Sequence, residues 1–114
     1  MSDCVFCKII KGEIPCSKVY EDDNILAFDD ISPMAPVHVI IIPKKHIPTL
    51  MDIESTNMDV TGNLISAAQK VARIKKINDK GFRTVINCNA EGGQVVFHLH
   101  MHLLGGRMLE DNLG

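Results

Sequence analysis

The amino-acid sequence predicts an α+β fold in which a mostly antiparallel sheet is combined with one long helix and a short N-terminal helix. Apolar side chains recur every three or four positions over residues 60–74, and again over the short segment 5–10. This spacing is typical of amphipathic helices. The other apolar segments are short and rich in β-branched residues, as strands are. Several strands around one long helix indicate an α+β domain.

Length and charge limit what the chain can be. Its 114 residues, of which 46% are hydrophobic, can bury one compact core but not two, so we expect a single domain over residues 1–114. The chain has 12 Lys and Arg against 14 Asp and Glu, a formal charge of -2, and it has no basic stripe that would predict a nucleic-acid partner. No basic N-terminal segment precedes an apolar run, and stretches such as residues 39–42 are too short to span a bilayer. We therefore expect a cytoplasmic protein without a membrane partner.

The predicted elements follow in order from the N-terminus. The helix over residues 5–10 is expected to end before Gly12 and Pro15, which interrupt the pattern. Two strands are predicted over residues 18–21 and 25–29, because three short polar residues between them suit a hairpin turn.

A third strand and the long helix come next. The strand is predicted over residues 37–42, where β-branched side chains run into Pro43 as a buried strand does. The helix is expected to begin near Thr56, with Thr56 and Asp59 as a capping pair, and to end near residues 78–81. Its buried face should carry the apolar residues at helical spacing, namely Val60, Leu64, Ala67, Ala68, Val71 and Ile74.

The last two strands are predicted over residues 82–88 and 95–104, and three of the five histidines stand in the second of them. Because successive side chains of a strand point to opposite faces, His98, His100 and His102 should share one face and line a surface or cleft. The other face should pack on the core, and it carries Phe97, Leu99, Met101 and Leu103.

Three histidines on one face of a strand indicate chemistry rather than a solvated edge. A neutral imidazole near pH 7 can act as a nucleophile or as a general acid and base, and it is equally a good zinc ligand. Residues 89–94, which precede the strand, include Gly92 and Gly93, and glycines let backbone N–H groups approach an anion closely. The spacing alone leaves catalysis and metal binding both open.

The cysteines offer a second candidate site. In a reducing compartment the four cysteines, at positions 4, 7, 16 and 88, are expected as thiols or metal ligands rather than as disulfides. Cys4 and Cys7 have the two-residue gap that lets two thiolates bind one zinc ion, but such a pair supplies only half of a tetrahedral site.

Residues 98–104, His-Leu-His-Met-His-Leu-Leu, resemble the signature of the histidine triad family. The resemblance continues over nearly the whole chain and is carried by residues 6–10, 12–15, 30–33, 35–38, 42–46 and 92–107. The chain is similar to the nucleotide-binding branch of that family. The resemblance implies a histidine-triad-like fold, a homodimer, and hydrolysis of purine nucleoside phosphoramidates or related nucleotide conjugates.

The resemblance also implies a role for each matching position. His100 would attack the α-phosphorus and form a covalent nucleotidyl intermediate without a catalytic metal. His102 would contact the phosphate and shuttle a proton to the leaving group, with His38 behind it. The other implied nucleotide-binding positions are Phe6, Ile9, Phe28 and Ile31 for the purine, Asp30 for the ribose, and Asn87, Gly93, Gln94 and Val95 for the ribose-phosphate end.

The other half of the zinc site is implied in the same way. Family members with the cysteine pair complete it with histidines that correspond here to His46 and His98. Together with Cys4 and Cys7, these would form a closed Cys2His2 site for a structural zinc ion.

Two departures from the family pattern bear on specificity. Val95 stands where well-known relatives carry a serine that hydrogen-bonds the phosphate and the leaving group, so only a backbone N–H is left there. The tail over residues 108–114 lacks the aromatic ending with which some relatives reach their partner's active site.

Two other functions stay open at this point. One is a zinc-dependent hydrolase in which the three-histidine strand holds an ion that activates water. The other is a nucleotide-binding regulator that does not turn its ligand over.

Overall fold

The computed structural model describes residues 4–114, which form a five-stranded sheet with helices on its two faces. In chain order the elements are α1 (Val5–Ile10), β1 (Lys18–Glu21), β2 (Ile25–Asp29), β3 (Val37–Pro43), α2 (Asp59–Ile74), β4 (Phe82–Val85) and β5 (Met101–Gly105), with short 3-10 turns at Leu50–Asp52 and Ser55–Asn57. The strands lie in the order β1-β2-β3-β5-β4, and every neighbouring pair is antiparallel. The predicted α+β class is confirmed, as are the long helix and the short N-terminal helix.

The two faces of the sheet carry different side chains because residues alternate along each strand. Odd-numbered strand residues pack against α2 in a cluster that includes Ile25, Ala27, Val39, Ile41, Leu64, Val71, Met101 and Leu103. Even-numbered ones form a second cluster with α1, composed of Phe6, Leu26, Phe28, Ile40 and Ile42. His38 and His102 have even numbers, so they belong to the face that carries α1.

The start of α2 differs from the prediction. The helix begins at Asp59, and Met58 at its N-cap makes no capping hydrogen bond through its side chain. The predicted capping pair of Thr56 and Asp59 is therefore wrong. A separate 3-10 turn precedes the helix, and there the N–H of Glu54 donates to Oδ1 of Asn57 at 2.6 Å.

The end of α2 also differs, since the helix stops at Ile74 rather than near residues 78–81. Lys76 adopts a left-handed backbone with φ of 62°. The N–H of Ile77 then donates to the carbonyl of Ala72 at 2.9 Å, and this pattern closes helices in the Schellman motif. Ile74 is 49% exposed and is not part of the buried face, whereas the other five predicted residues are buried. Within residues 4–114 no helix is long and apolar enough to cross a lipid bilayer.

β5 begins at Met101 rather than at residue 95, because its partner strand stops supporting it. Ile41 of β3 pairs with Met101, and the same register would place Pro43 opposite Leu99. Proline has no N–H to continue the ladder. The N–H of Leu99 instead donates to the carbonyl of Ile47 at 2.6 Å. Residues 95–100 are therefore loop and not strand.

The shortened β5 also shortens its neighbour. Val85 pairs with His102 near the start of β5, so β4 ends there and does not reach Cys88 as predicted. The predicted core face is confirmed only in part: Leu99, Met101 and Leu103 are buried, but Phe97, expected on the same face, is 47% exposed.

Candidate active site

Two neighbouring strands bring His38 and His102 together. His38 on β3 lies opposite Leu104, and Ile40 lies opposite His102 on β5. His38 and His102 are thus diagonal neighbours on one face, where side chains of two strands can touch. Nε2 of His38 lies 2.9 Å from Nδ1 of His102.

The backbone decides how these two imidazoles share their protons. The N–H of Met34 donates to Nδ1 of His38 at 3.0 Å, so the ring proton of neutral His38 is on Nε2. That proton points at Nδ1 of His102, and the proton of His102 is therefore on its Nε2. Oδ2 of Asp30 lies 3.4 Å from Nε2 of His38, and its Oδ1 accepts the N–H of Ser32 at 2.7 Å.

His100 is held with its reactive nitrogen free. Its Nδ1 donates to the carbonyl of His98 at 2.7 Å, which leaves the lone pair on Nε2. The ring centre lies 5.1 Å from the ring centres of both Phe6 and His102, edge to face in each case. Burial lowers the pKa of His100, so the imidazole is neutral and nucleophilic near pH 7.

His102 is kept neutral even more strongly. Burial lowers its pKa to about 4, and the neighbouring rings of His100 and His38 add to this effect because they disfavour a second positive charge. Asp30 acts in the opposite direction without offsetting them. His102 therefore enters a reaction at neutral pH as an uncharged proton donor and acceptor.

The N-terminal cysteines meet two histidines in a separate cluster. One ligand atom from each of Cys4, Cys7, His46 and His98 lies within 4.8 Å of the others. Sγ of Cys7 is 3.3 Å from Nδ1 of His46, and Sγ of Cys4 is 3.4 Å from Nδ1 of His98. Nε2 of His98 donates to the carbonyl of Pro43 at 2.8 Å, so Nδ1 presents its lone pair to the cluster.

This donor set fits a metal ion. Two thiols and two imidazoles form one of the common tetrahedral sets for zinc, and a backbone carbonyl on the far nitrogen of a ligating histidine is the usual outer partner. Without an ion, burial and the neighbouring Cys4 raise the pKa of the Cys7 thiol. A bound cation would favour the thiolate instead.

The three histidines of the signature do not converge on one ion. His98 belongs to the cysteine cluster, whereas His102 joins Asp30 and His38 in a second group of close ligand atoms. In the described part of the chain, His100 belongs to neither group. This arrangement speaks against the alternative of a zinc-dependent hydrolase built on the three-histidine strand. The prediction that His98 lines a surface or cleft is wrong, because its side chain is fully buried.

The predicted purine-binding residues are only partly brought together. The rings of Phe6 and Phe28 meet edge to face with centres 5.7 Å apart, and Ile9 packs against the same cluster. Ile31 lies outside this cluster and is 99% exposed.

Two glycines constrain the backbone of the loop over residues 89–94, which precedes the histidines. A Cβ at Gly92 would lie 2.3 Å from the carbonyl oxygen of Cys88, so only glycine fits there, and Gly93 adopts a φ of 81° that favours glycine. Nδ2 of Asn87 donates to the carbonyl of Gly92 at 2.7 Å. The exposed side chain of Val95 follows, 86% accessible.

Gln94, which is predicted to lie at the ribose-phosphate end, has its side chain turned into the protein. It is buried, and its amide Nε2 donates to the carbonyls of Pro48 and Val96, while Oε1 accepts the N–H of Asn89. The side chain therefore ties the loop to the protein. The backbone groups of Met34, Pro43 and His98 also belong to the site, and they could not be predicted because no residue type marks a main-chain donor or acceptor.

Comparison with known proteins gives the family. The HIT domain model matches residues 11–109. The chain is 48% identical to the purine nucleoside phosphoramidase of Escherichia coli (strain K12) over 107 residues, and these residues make up 94% of this chain and 90% of that protein. It is 52% identical over 105 residues to an uncharacterized HIT-like protein of Synechocystis sp., which covers 92% and 91% of the two chains.

Solved structures agree. The fold matches a HIT family hydrolase from Clostridium thermocellum with a TM-score of 0.96 and 47% identity, over 99% of this chain and 98% of that one. It matches a HIT family hydrolase from Legionella pneumophila with a TM-score of 0.95 and 48% identity, over 98% of this chain and 100% of that one. The chain therefore belongs to the histidine triad (HIT) family.

The lowered pKa of His102 predicts that its ring does not titrate between about pH 5.5 and 8, because a group with a pKa near 4 is already neutral there. Ring nitrogen shifts from ¹H–¹⁵N spectra, assigned with a His102→Asn variant, measure this. The groups that face the ring are His38, His100 and Asp30. A His102 titration near pH 6.5 would contradict the prediction.

Proposed function

We propose that the protein hydrolyses purine nucleoside phosphoramidates or related nucleotide conjugates through a covalent nucleotidyl intermediate on His100. The observation that carries the proposal is the hydrogen bond from Nδ1 of His100 to the carbonyl of His98, because it leaves Nε2 as a free lone pair on a buried neutral ring. The relative in Escherichia coli, a purine nucleoside phosphoramidase, supports the choice of substrate class.

The chemistry proceeds in two displacements. In the first, Nε2 of His100 bonds to the α-phosphorus, the bond from phosphorus to the leaving nitrogen breaks, and that nitrogen takes up one proton and departs as an amine. In the second, water attacks the same phosphorus, the bond to Nε2 breaks, and one proton is released with the nucleoside monophosphate. The sum is substrate plus water giving nucleotide plus amine.

His102 and His38 are proposed to move and hold the proton in these steps. Nε2–H of His102 is the donor left over after its Nδ1 has accepted from His38. It can therefore donate to the phosphate or relay a solvent proton to the leaving nitrogen. His38 and Asp30 keep the ring of His102 in that orientation.

The remaining contacts are assigned by position. The purine would lie against the cluster of Phe6, Ile9 and Phe28, with the exposed Ile31 closing over it from the loop after β2. Asp30 would accept hydrogen bonds from the ribose hydroxyls. The ribose-phosphate end would meet the glycine loop that holds Asn87, Gly93 and Val95, while buried Gln94 keeps that loop in shape.

Zinc is proposed for the cluster of Cys4, Cys7, His46 and His98. When bound, it supplies a structural crosslink between α1, the segment that carries His46 and the loop over residues 95–100, and no step of the hydrolysis passes through it. Its four protein donors would fill a tetrahedral shell.

A cytoplasmic homodimer is proposed for the single domain of residues 1–114. β4 is an edge strand, and exposed apolar side chains stand on it and on α2: Phe82 on β4, and Ile65 and Ile74 on the helix. Pairing of these elements between two copies would cover the edge and extend a small core.

Replacing the nucleophile should separate binding from catalysis. His100→Asn should still bind AMP but show no turnover of an adenosine phosphoramidate, since no other group is proposed to bond phosphorus. His102→Asn should retain a measurable rate, lower by roughly 10²–10⁴-fold, as is usual for a positioned acid-base group. Steady-state hydrolysis and calorimetric AMP binding measure the two effects.

The intermediate provides a direct check on this assignment. Wild-type protein quenched during turnover should carry one nucleotidyl group within residues 95–107, detected by peptide mass spectrometry. An adduct elsewhere, or wild-type turnover by His100→Asn, would reject the nucleophile. AMP binding without any turnover by the wild type would favour a regulator that binds nucleotides only.

The zinc assignment has matched controls within the chain. A Cys4→Ser, Cys7→Ser double variant should lose the roughly one zinc per chain expected of the wild type and melt at least about 5 °C earlier. Cys16→Ser, outside the cluster, should keep both the zinc and the melting temperature. Metal analysis and thermal unfolding decide the matter, and full zinc retention by the double variant would refute the site.

The dimer proposal is tested by mass in solution. Light scattering at micromolar concentration should give about twice the 12.6 kDa of one chain. Phe82→Lys should shift the mass towards that of the monomer, because it places a charge on the proposed interface, whereas Met51→Lys, on an exposed turn, should not. A monomeric wild type would contradict the proposal.

A further inference from the structure

His98 belongs to both functional clusters at once. Its ring presents Nδ1 to Cys4, Cys7 and His46, while its backbone carbonyl accepts the Nδ1 proton of His100. The same residue thus contributes a metal ligand and the acceptor that orients the proposed nucleophile. Any shift of His98 changes both.

Phe6 makes a second connection between the clusters. It stands in α1 between Cys4 and Cys7, and its ring centre lies 5.8 Å from that of His98 and 5.1 Å from that of His100, edge to face in both cases. It also packs on Phe28, in the cluster proposed to receive the purine. The ring of Phe6 therefore contacts the proposed metal ligand His98, the proposed nucleophile His100, and Phe28 of the proposed purine site.

The position of α1 depends on its side-chain contacts with the rest of the protein. It has six residues, too few for a helix to be stable alone. In the described part of the chain, its backbone N–H groups find their backbone acceptors within residues 4–13, as in the bonds from Lys8 to Cys4 and from Lys11 to Cys7. Within residues 4–114, the side chains that attach α1 to the rest of the protein are Phe6, Ile9 and Ile10, which pack on the second cluster, and the cysteines of the candidate metal site.

We propose that metal binding at Cys4, Cys7, His46 and His98 and purine nucleotide binding at the active site are thermodynamically coupled through Phe6 and His98. A bound ion fixes α1 and the ring of His98, and thereby holds Phe6 against His100 and the proposed purine site. Nucleotide binding becomes tighter because the site no longer has to be ordered when the ligand arrives. The inference rests on the proposed function, since it requires a nucleotide at this site.

The coupling must be reciprocal. If zinc raises the affinity for a nucleotide by a given factor, the nucleotide raises the affinity for zinc by the same factor. Coupling between protein sites is typically about 5- to 150-fold. Direct contacts through one ring and one hydrogen bond favour a value of at least roughly tenfold.

The first measurement compares AMP binding by zinc-loaded and chelator-stripped protein, using calorimetry after removal of the chelator. We expect at least roughly tenfold weaker AMP binding without zinc. Far-UV circular dichroism and methyl NMR signals of the α2 core report whether the stripped protein remains folded. Equal AMP affinities in a folded protein would overturn the coupling.

The second measurement starts from the zinc-loaded protein and reads the same coupling from the other ligand, by following the release of zinc. Zinc affinity is measured by competition with a chromogenic chelator, with and without saturating AMP. It should rise by the same factor as the AMP affinity, and an unchanged zinc affinity would overturn the inference. Failure of the loaded protein to bind AMP would reject the proposed function and the coupling together.

A variant of Phe6 tests the route of the coupling. Phe6→Leu keeps all four metal ligands, so zinc should still bind, but the ratio of AMP affinities with and without zinc should fall towards one. Val5→Ala is the matched control, because it changes an exposed side chain in the same helix and should keep the full ratio. A ratio in Phe6→Leu equal to that of the wild type would overturn the route through Phe6.

Discussion

The active-site geometry depends on the register with which β3 pairs with β5. Ile40 lies opposite His102, so His38 and His102 become diagonal neighbours on the face that carries α1. A slip of one residue would turn His102 into the core beneath α2 and Leu103 out of it. Leu103 is fully buried, and its exposure would remove the stabilisation that burial of its side chain contributes to folding. The hydrophobic core thus holds the histidines in register.

Backbone hydrogen bonds then give chemically identical side chains different roles. The carbonyl of Pro43 leaves His98 with a free Nδ1 that faces two thiols, whereas the carbonyl of His98 leaves His100 with a free Nε2. The N–H of Met34 directs the proton of His38 towards His102. Across residues 4–114 the buried side-chain polar atoms all have hydrogen-bond partners, so turning one of these rings over would leave a buried polar atom without one.

The early end of the β-ladder at Met101 frees the carbonyl of His98 to accept the hydrogen bond from the ring of His100. In a continuous strand the carbonyl of His98 would point sideways towards a neighbouring strand, where Nδ1–H of His100 could not donate to it so readily. Pro43 ends the ladder, and the loop over residues 95–100 follows its own path while His98 turns into the cysteine cluster. A position at which local prediction fails is often a functional one.

Much of this protein could be predicted from the sequence. Hydrophobic periodicity gave α1, β1 and β2 with their observed bounds and placed the other elements, because burial of one face leaves its period in the residue order. The histidine alternation and the Cys4–Cys7 pair marked the two candidate sites, since few structures other than such sites require those residue types at that spacing.

Amino-acid order by itself determined the fold class, the family signature and which residue types were available for chemistry. The resemblance already implied that His98 joins Cys4 and Cys7 and that His38 lies behind His102. Only the tertiary structure decided which ring nitrogens face these partners, that the side chain of Gln94 is buried, and that Ile31 is exposed. These outcomes depend on main-chain donors and acceptors and on long-range packing. Every residue carries the same backbone groups, so the letters of a sequence do not record which of them a folded chain brings together.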